Sequence, residues 1–134
     1  MDYKELIEKA KEALENAHVP YSHYTVGAAV LTEDGNVYSG CNIENASYGA
    51  TVCAERVAIF KAVSNGEKKM KAIALVTGAG DFPTPCGICR QVMAEFAMDD
   101  FEIIMSNDEK TEIYKMDEIL PLSFTSKNLL ELDL

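Results

Sequence analysis

The stretch KAIALVTGAGDFPTPCGICR, residues 71–90, decides the architecture. Lys71 to Thr77 is a short apolar run with the character of a buried strand. Gly78-Ala79-Gly80-Asp81-Phe82-Pro83 breaks it, since glycine and proline punctuate regular structure. Thr84-Pro85 then opens a helix, with Thr84 as N-cap and Pro85 at the first helical position. Ile88, Val92, Met93 and Phe96 form the apolar side of that helix.

Outward from this strand-loop-helix unit the pattern repeats. Residues 3–17 place Leu6, Ile7, Ala10, Ala13, Leu14 and Ala17 at helical spacing with charges between them, and His18 follows near the helix C-terminus, where an imidazolium suits the dipole. Val19-Pro20-Tyr21-Ser22 ends the helix. Thr25 to Leu31 and Val37 to Ile43 read as a hairpin about Glu33-Asp34-Gly35-Asn36. A polar loop, Glu44 to Thr51, leads to an apolar helix from about Cys53 to Val63, closed by Asn65-Gly66. Downstream, Glu102 to Met105 and Glu112 to Tyr114 read as strands. The segment from Leu120 to Leu134 holds Pro121 and exposed-looking apolar residues, Phe124 and Leu129 among them. Strands alternating with helices predict an α/β fold, a three-layer α/β/α sandwich about a mixed sheet of about five strands. Its 134 residues suit one domain spanning 1–134, with no repeat or linker to divide it.

Acidic residues number 22 against 12 basic, a net charge of −10, which disfavours a polyanionic partner. The nearest basic cluster, Lys68-Lys69 and Lys71, reads as a solvated turn. No apolar run approaches the roughly 20 residues that span a bilayer. The start, Met1-Asp2-Tyr3-Lys4-Glu5, has no apolar signal region, and the chain reads as cytoplasmic. In that setting its 4 cysteines point away from a disulfide scaffold, to metal ligation, redox chemistry or core packing.

Cys86-Gly87-Ile88-Cys89 sets two thiols at i and i+3, on one side of a helix. In the first turn, unpaired backbone N–H groups and the helix dipole favour thiolates. Cys53 begins the other helix, so two helix N-termini can converge on one Zn²⁺. Zinc prefers thiolates, and a catalytic site leaves the fourth tetrahedral position to water. Glu55 is what a structural site would not need: a carboxylate beside that water can take a proton and later deliver it to a leaving group. Three thiolates leave the site formally −1, and Arg56 can offset this by donating to sulfur. The rival readings are a thioredoxin-like CxxC, which leaves Cys53-Ala54-Glu55 unexplained, and a structural four-cysteine site, for which Cys41 lacks a paired neighbour. Cys41 reads as a small strand residue, and His18 and His23 as structural or exposed.

At Cys53-Ala54-Glu55-Arg56 and Pro85-Cys86-Gly87-Ile88-Cys89-Arg90-Gln91 the chain resembles the cytidine deaminase family, in its short homotetrameric class with three cysteine ligands. Pro20-Tyr21-Ser22, Val26-Gly27-Ala28-Ala29 and Gly40-Cys41-Asn42-Ile43-Glu44-Asn45-Ala46 extend the resemblance over nearly the whole chain. It implies hydrolytic deamination of cytidine and deoxycytidine, with one zinc per subunit and sites at subunit interfaces. Asn42 and Glu44 emerge on the same side of an extended chain and offer donor and acceptors; the resemblance implies that they hold the ribose. It also implies that the Ala54 N–H faces a pyrimidine carbonyl, and that an aromatic ring, most often Phe, stands near the base at Tyr24. Tyr is a departure, and its hydroxyl needs a partner or solvent. Phe124 resembles an aromatic that reaches a neighbouring subunit's site, and Tyr48 is a second such candidate. A blasticidin-type antibiotic deaminase shares the metal motif, but Asn42-Ile43-Glu44-Asn45 and Phe124 favour cytidine. Editing of tRNA or single-stranded DNA is disfavoured by charge, and a non-catalytic zinc-stabilised module would make Glu55 dispensable.

Overall fold

The computed structural model describes residues 2–130. Strands β1 (Val26–Thr32) and β2 (Val37–Cys41) form the expected hairpin, turning at Gly35, whose φ of 88° is one that glycine adopts without strain. β3 (Met70–Thr77) joins the other edge of β1 antiparallel, β4 (Ala97–Ser106) runs parallel to β3, and β5 (Thr111–Lys115) closes antiparallel. The result is a 5-stranded mixed sheet, order β2-β1-β3-β4-β5.

Side-chain alternation sorts the core into two halves. Ala28, Val30, Ile73, Leu75, Ile103 and Met105 face helices α2 (Ala54–Ser64) and α3 (Gly87–Phe96). Ala29, Leu31, Ala72, Ala74, Val76 and Ile104 face α1 (Tyr3–Leu14), which buries Leu6 and Ala10 against them. Helices on both faces complete the three layers.

β2 and β3 are both antiparallel to β1, so they run parallel to each other. β2-α2-β3 and β3-α3-β4 are therefore successive crossovers over one face of the sheet. Each helix begins where its strand ends, so the N-termini of α2 and α3 open at the carboxyl edge of the parallel strands, where open α/β sheets bind ligands.

α2 sits close upon β2. A Cβ on Gly40 would lie 2.7 Å from the Ala58 nitrogen, 2.8 Å from the Ala54 carbonyl oxygen and 2.8 Å from Val57 Cβ. Gly40→Ala is expected to cost about 2–3 kcal/mol in chemical denaturation, because backbone on the far side cannot yield as a side chain would. Gly49→Ala, which meets nothing within 4 Å, is the matched control and should change little.

Three boundaries differ from expectation, the first two for a visible reason. α1 ends at Leu14 rather than Ala17: the His18 N–H donates to the Asn42 carbonyl and the Glu44 N–H to the His18 carbonyl, drawing His18 into a bridge beside Ile43. His18 therefore does not sit on a helix end. α3 begins at Gly87 with Cys86, not Thr84, as its cap. Arg90 Nε donates to the Pro85 carbonyl at 2.9 Å and keeps Pro85 outside the helix. β4 starts directly after α3, at Ala97, five residues ahead of the expected Glu102. Beyond β5 lie two short helices, α4 (Met116–Ile119) and α5 (Ser126–Leu130), with Phe124 and Leu129 exposed at 58% and 62%. The last four residues of the segment expected over 120–134 fall outside the described residues. No helix among the described residues is long and apolar enough to cross a membrane.

Candidate active site

Cys53 caps α2 and Cys86 caps α3, both with extended backbone and neither with its side chain engaged in capping. Cys89 lies one turn into α3 and is fully buried. The crossover geometry brings the three sulfurs within 4.8 Å of one another, Cys53 and Cys86 being 3.7 Å apart. Thiolates about 2.3 Å from a tetrahedral ion stand about 3.8 Å apart, so the donor set has the spacing and chemistry that zinc requires.

The surroundings favour negative sulfur. Arg56 Nη2 donates to Cys53 Sγ at 3.4 Å, and its Nε is buried with no hydrogen-bond partner among the described residues. A hydrogen bond from Cys89, then those from Arg56 and Cys86, bring the Cys53 thiol down to about 5, while the shared proton pushes Cys89 up. Before any metal binds, then, one sulfur of the set ionises readily.

Glu55 follows Cys53 by two residues in the first turn of α2 and is 5% exposed. Burial, reinforced by the Cys53 thiolate, pushes its carboxyl up to about 7. A carboxyl poised there exchanges a proton readily at neutral pH. Ala54, fully buried, opens the helix, where backbone N–H groups have no acceptor within the helix.

Asn42 and Glu44 grip the turn that precedes β1. Asn42 Oδ1 accepts from the Val26 N–H at 2.9 Å, and its Nδ2 donates to the Tyr24 carbonyl at 2.7 Å. Glu44 Oε1 accepts from the Tyr21 and Ser22 N–H groups at 2.9 and 3.1 Å, and the Ser22 hydroxyl first, then these backbone groups, hold its pKa below the usual carboxylate range. Among the described residues, the second amide proton of Asn42 and the second oxygen of Glu44 take no hydrogen bond. Tyr21, Ser22, Glu44, Tyr48 and Thr51 line a groove of about 430 Å³ here. Tyr48 packs edge-on against Tyr21 at 5.8 Å yet stays 75% exposed. Phe124 stands apart from this groove, on a cleft with Gln91 and Glu95, its carbonyl accepting from Gln91 Nε2 at 2.7 Å.

Sequence reasoning left the Tyr24 hydroxyl without a partner and passed over Asp81. The hydroxyl lies 3.0 and 2.9 Å from the two Asp81 carboxylate oxygens, and its pKa is raised, by burial above all. The signal was the tyrosine itself, since a half-buried hydroxyl requires an acceptor.

Comparison with known proteins gives a consistent result. The family model for the cytidine and deoxycytidylate deaminase zinc-binding region matches residues 1–105. A cytidine deaminase of Sporosarcina psychrophila is 47% identical over 133 residues, covering 96% of each chain. A blasticidin-S deaminase of Bacillus cereus is 36% identical over 131 residues, covering 90% of this chain and 91% of its own. The crystal structure of cytidine deaminase from Burkholderia pseudomallei superposes with a TM-score of 0.87 at 43% identity, covering 92% of this chain and 100% of that one.

Proposed function

The chain belongs to the zinc-dependent cytidine and deoxycytidylate deaminase family, and from that membership we propose that it hydrolyses cytidine and deoxycytidine to uridine and deoxyuridine with release of ammonia. The observation that carries this reading is the buried Glu55 carboxyl beside three converging thiols. Zinc held by Cys53, Cys86 and Cys89 supplies the Lewis acidity that makes water nucleophilic at neutral pH.

The chain's own groups do the rest. Glu55 takes a proton from the attacking water and delivers it to N3 of the pyrimidine, which leaves C4 open to addition. It then carries a second proton to the exocyclic nitrogen, so that ammonia departs as a neutral leaving group. Arg56 balances the excess charge of three thiolates, a duty its bond to Cys53 suits. The Ala54 N–H directs the pyrimidine carbonyl. Asn42 and Glu44 receive the ribose, principally its 3′-hydroxyl, through the amide proton and carboxylate oxygen left free of the backbone. The Tyr24 ring packs beside the base.

The exposure of Tyr48 and Phe124 supports a homotetramer in which neighbouring copies complete each site. The whole of 1–134 then acts as a single catalytic domain of cytoplasmic pyrimidine salvage. Net charge −10 supports a free nucleoside over a nucleic-acid polymer.

Metal analysis and ammonia release test the reading together. We expect one zinc per chain and a kcat/KM for cytidine or deoxycytidine at least about tenfold above that for blasticidin S, the margin that ~1.4 kcal/mol of transition-state discrimination gives. The reverse ranking would make the protein an antibiotic deaminase, which its likeness to the Bacillus cereus enzyme keeps as the second reading. Sedimentation should return four copies.

A further inference from the structure

A ring that only packs beside a base has no use for a hydroxyl, yet that of Tyr24 is bound. It lies within 3.0 Å of both Asp81 carboxylate oxygens and donates its single proton there. The two residues come from segments far apart in the chain. Tyr24 closes the turn before β1, and Asp81 belongs to the loop between β3 and α3.

Both segments are held independently of this bond. Asn42 ties the Tyr24 carbonyl and the Val26 N–H to β2, and Ser22 Oγ accepts from the Tyr24 N–H at 3.0 Å. Across the gap, the Gly78 N–H donates to the Thr25 carbonyl at 3.1 Å. Thr77 Oγ1 accepts from the Ala79 N–H at 3.0 Å and stands 3.5 Å from Asp81 Oδ1. The Lys110 ammonium lies 4.8 Å from the centre of the Phe82 ring. Asp81, itself exposed, thus sits on a loop tied down on either side of it. Val26 and Phe82, which follow Tyr24 by two residues and Asp81 by one, pack against the same half of the core as Cys53.

We infer that Asp81 is a positioning residue for the pyrimidine, holding the Tyr24 ring in one orientation through the bond to its hydroxyl. This rests on the reading that the Tyr24 ring packs beside the base. A ring on two side-chain torsions must be immobilised when substrate binds, and that ordering opposes binding. A ring already anchored at its para position by a carboxylate has lost that freedom beforehand. The effect therefore falls on substrate binding and leaves the proton transfers of Glu55 alone.

A double-mutant cycle on the zinc-loaded enzyme tests this, with cytidine as substrate. Asp81→Ala and Tyr24→Phe should each raise KM about two- to tenfold, the range expected for one immobilised side chain, with kcat within about twofold. The double variant should be no worse than either single, since both remove the same bond. Asp81→Asn, which keeps an acceptor oxygen, should restore most of the loss, and Tyr24→Phe, which removes the same bond from its other end, keeps the test valid if Asp81→Ala folds poorly. The inference is overturned if KM is unchanged in Asp81→Ala or in Tyr24→Phe, or if the Asp81→Ala effect persists undiminished in the Tyr24→Phe background. Loss of zinc from Asp81→Ala would also overturn it, because the loop would then be placing the ligand helix and not the ring. Absence of ammonia release from the wild-type enzyme would be a different failure, that of the deaminase reading itself.

Discussion

Glu55→Gln is expected to bind zinc as the wild type does and to release ammonia from cytidine about 10³- to 10⁴-fold more slowly, the scale of a positioned general acid–base group. The substitution keeps the shape of the side chain and leaves the three thiols untouched, so metal content should stay at one per chain. An amide cannot take the proton of an attacking water and cannot return one to N3 or to the leaving amine. Turnover within tenfold of wild type in a zinc-replete Glu55→Gln sample would sink the assignment and favour a zinc-stabilised module.

The same change should act on stability with the opposite sign. Burial lifts the Glu55 carboxyl from 4.5 to about 7, so in the metal-free protein the protonated form favours folding. That contribution is fully present below about pH 4.5 and is lost as pH rises through about 7, roughly 3 kcal/mol at 1.36 kcal/mol per unit. Metal-free Glu55→Gln should therefore match metal-free wild type near pH 4.5 and exceed it in chemical denaturation at pH 8. A carboxylate kept in a buried first turn at the expense of stability is what a catalytic group would show, and a packing residue would not.

The sheet was legible because its strands carry their signal locally. KAIALVT and the hairpin about Gly35 announce themselves by apolar runs and turn chemistry, and β1 to β3 fall close to where those patterns place them. The boundaries that moved are those set by bridging and side-chain contacts, which apolar periodicity does not carry. Nothing local to Ala17 announces that His18 will bridge to the segment after β2, and nothing local to Thr84 announces that Arg90 will hold the Pro85 carbonyl. The metal cluster was legible for a topological reason: cysteines at two helix starts converge once both helices follow parallel strands. The hold of Asn42 and Glu44 on the turn before β1 was not, because those bonds depend on how that turn packs. Asp81 was hidden in the same way, its acceptor meeting a hydroxyl that lies 57 positions away.

Removing Cys89 separates metal from fold more sharply than removing any other ligand. Its sulfur is fully buried between the caps of α2 and α3, where no water can take its place as a third donor without opening that junction. Cys89→Ala is expected to retain less than about a tenth of the wild-type zinc and to lose deamination by at least about 10³-fold, because two thiols and open positions do not define a tetrahedral site. Truncating one small side chain in a core costs about 1 kcal/mol, whereas losing a metal bound only to the native state removes the full linkage term, about 4 kcal/mol at a thousandfold excess over its dissociation constant. The two origins are thus distinguishable: a chelator should lower the melting temperature of the wild type nearly to that of Cys89→Ala and leave Cys89→Ala unmoved. Cys41 is the internal control. It ends β2 half-buried, its thiol pushed up by burial, outside the cluster formed by the other three cysteines. Cys41→Ala should keep one zinc per chain and near-normal turnover, and a full complement of zinc in Cys89→Ala would show that the metal is held elsewhere.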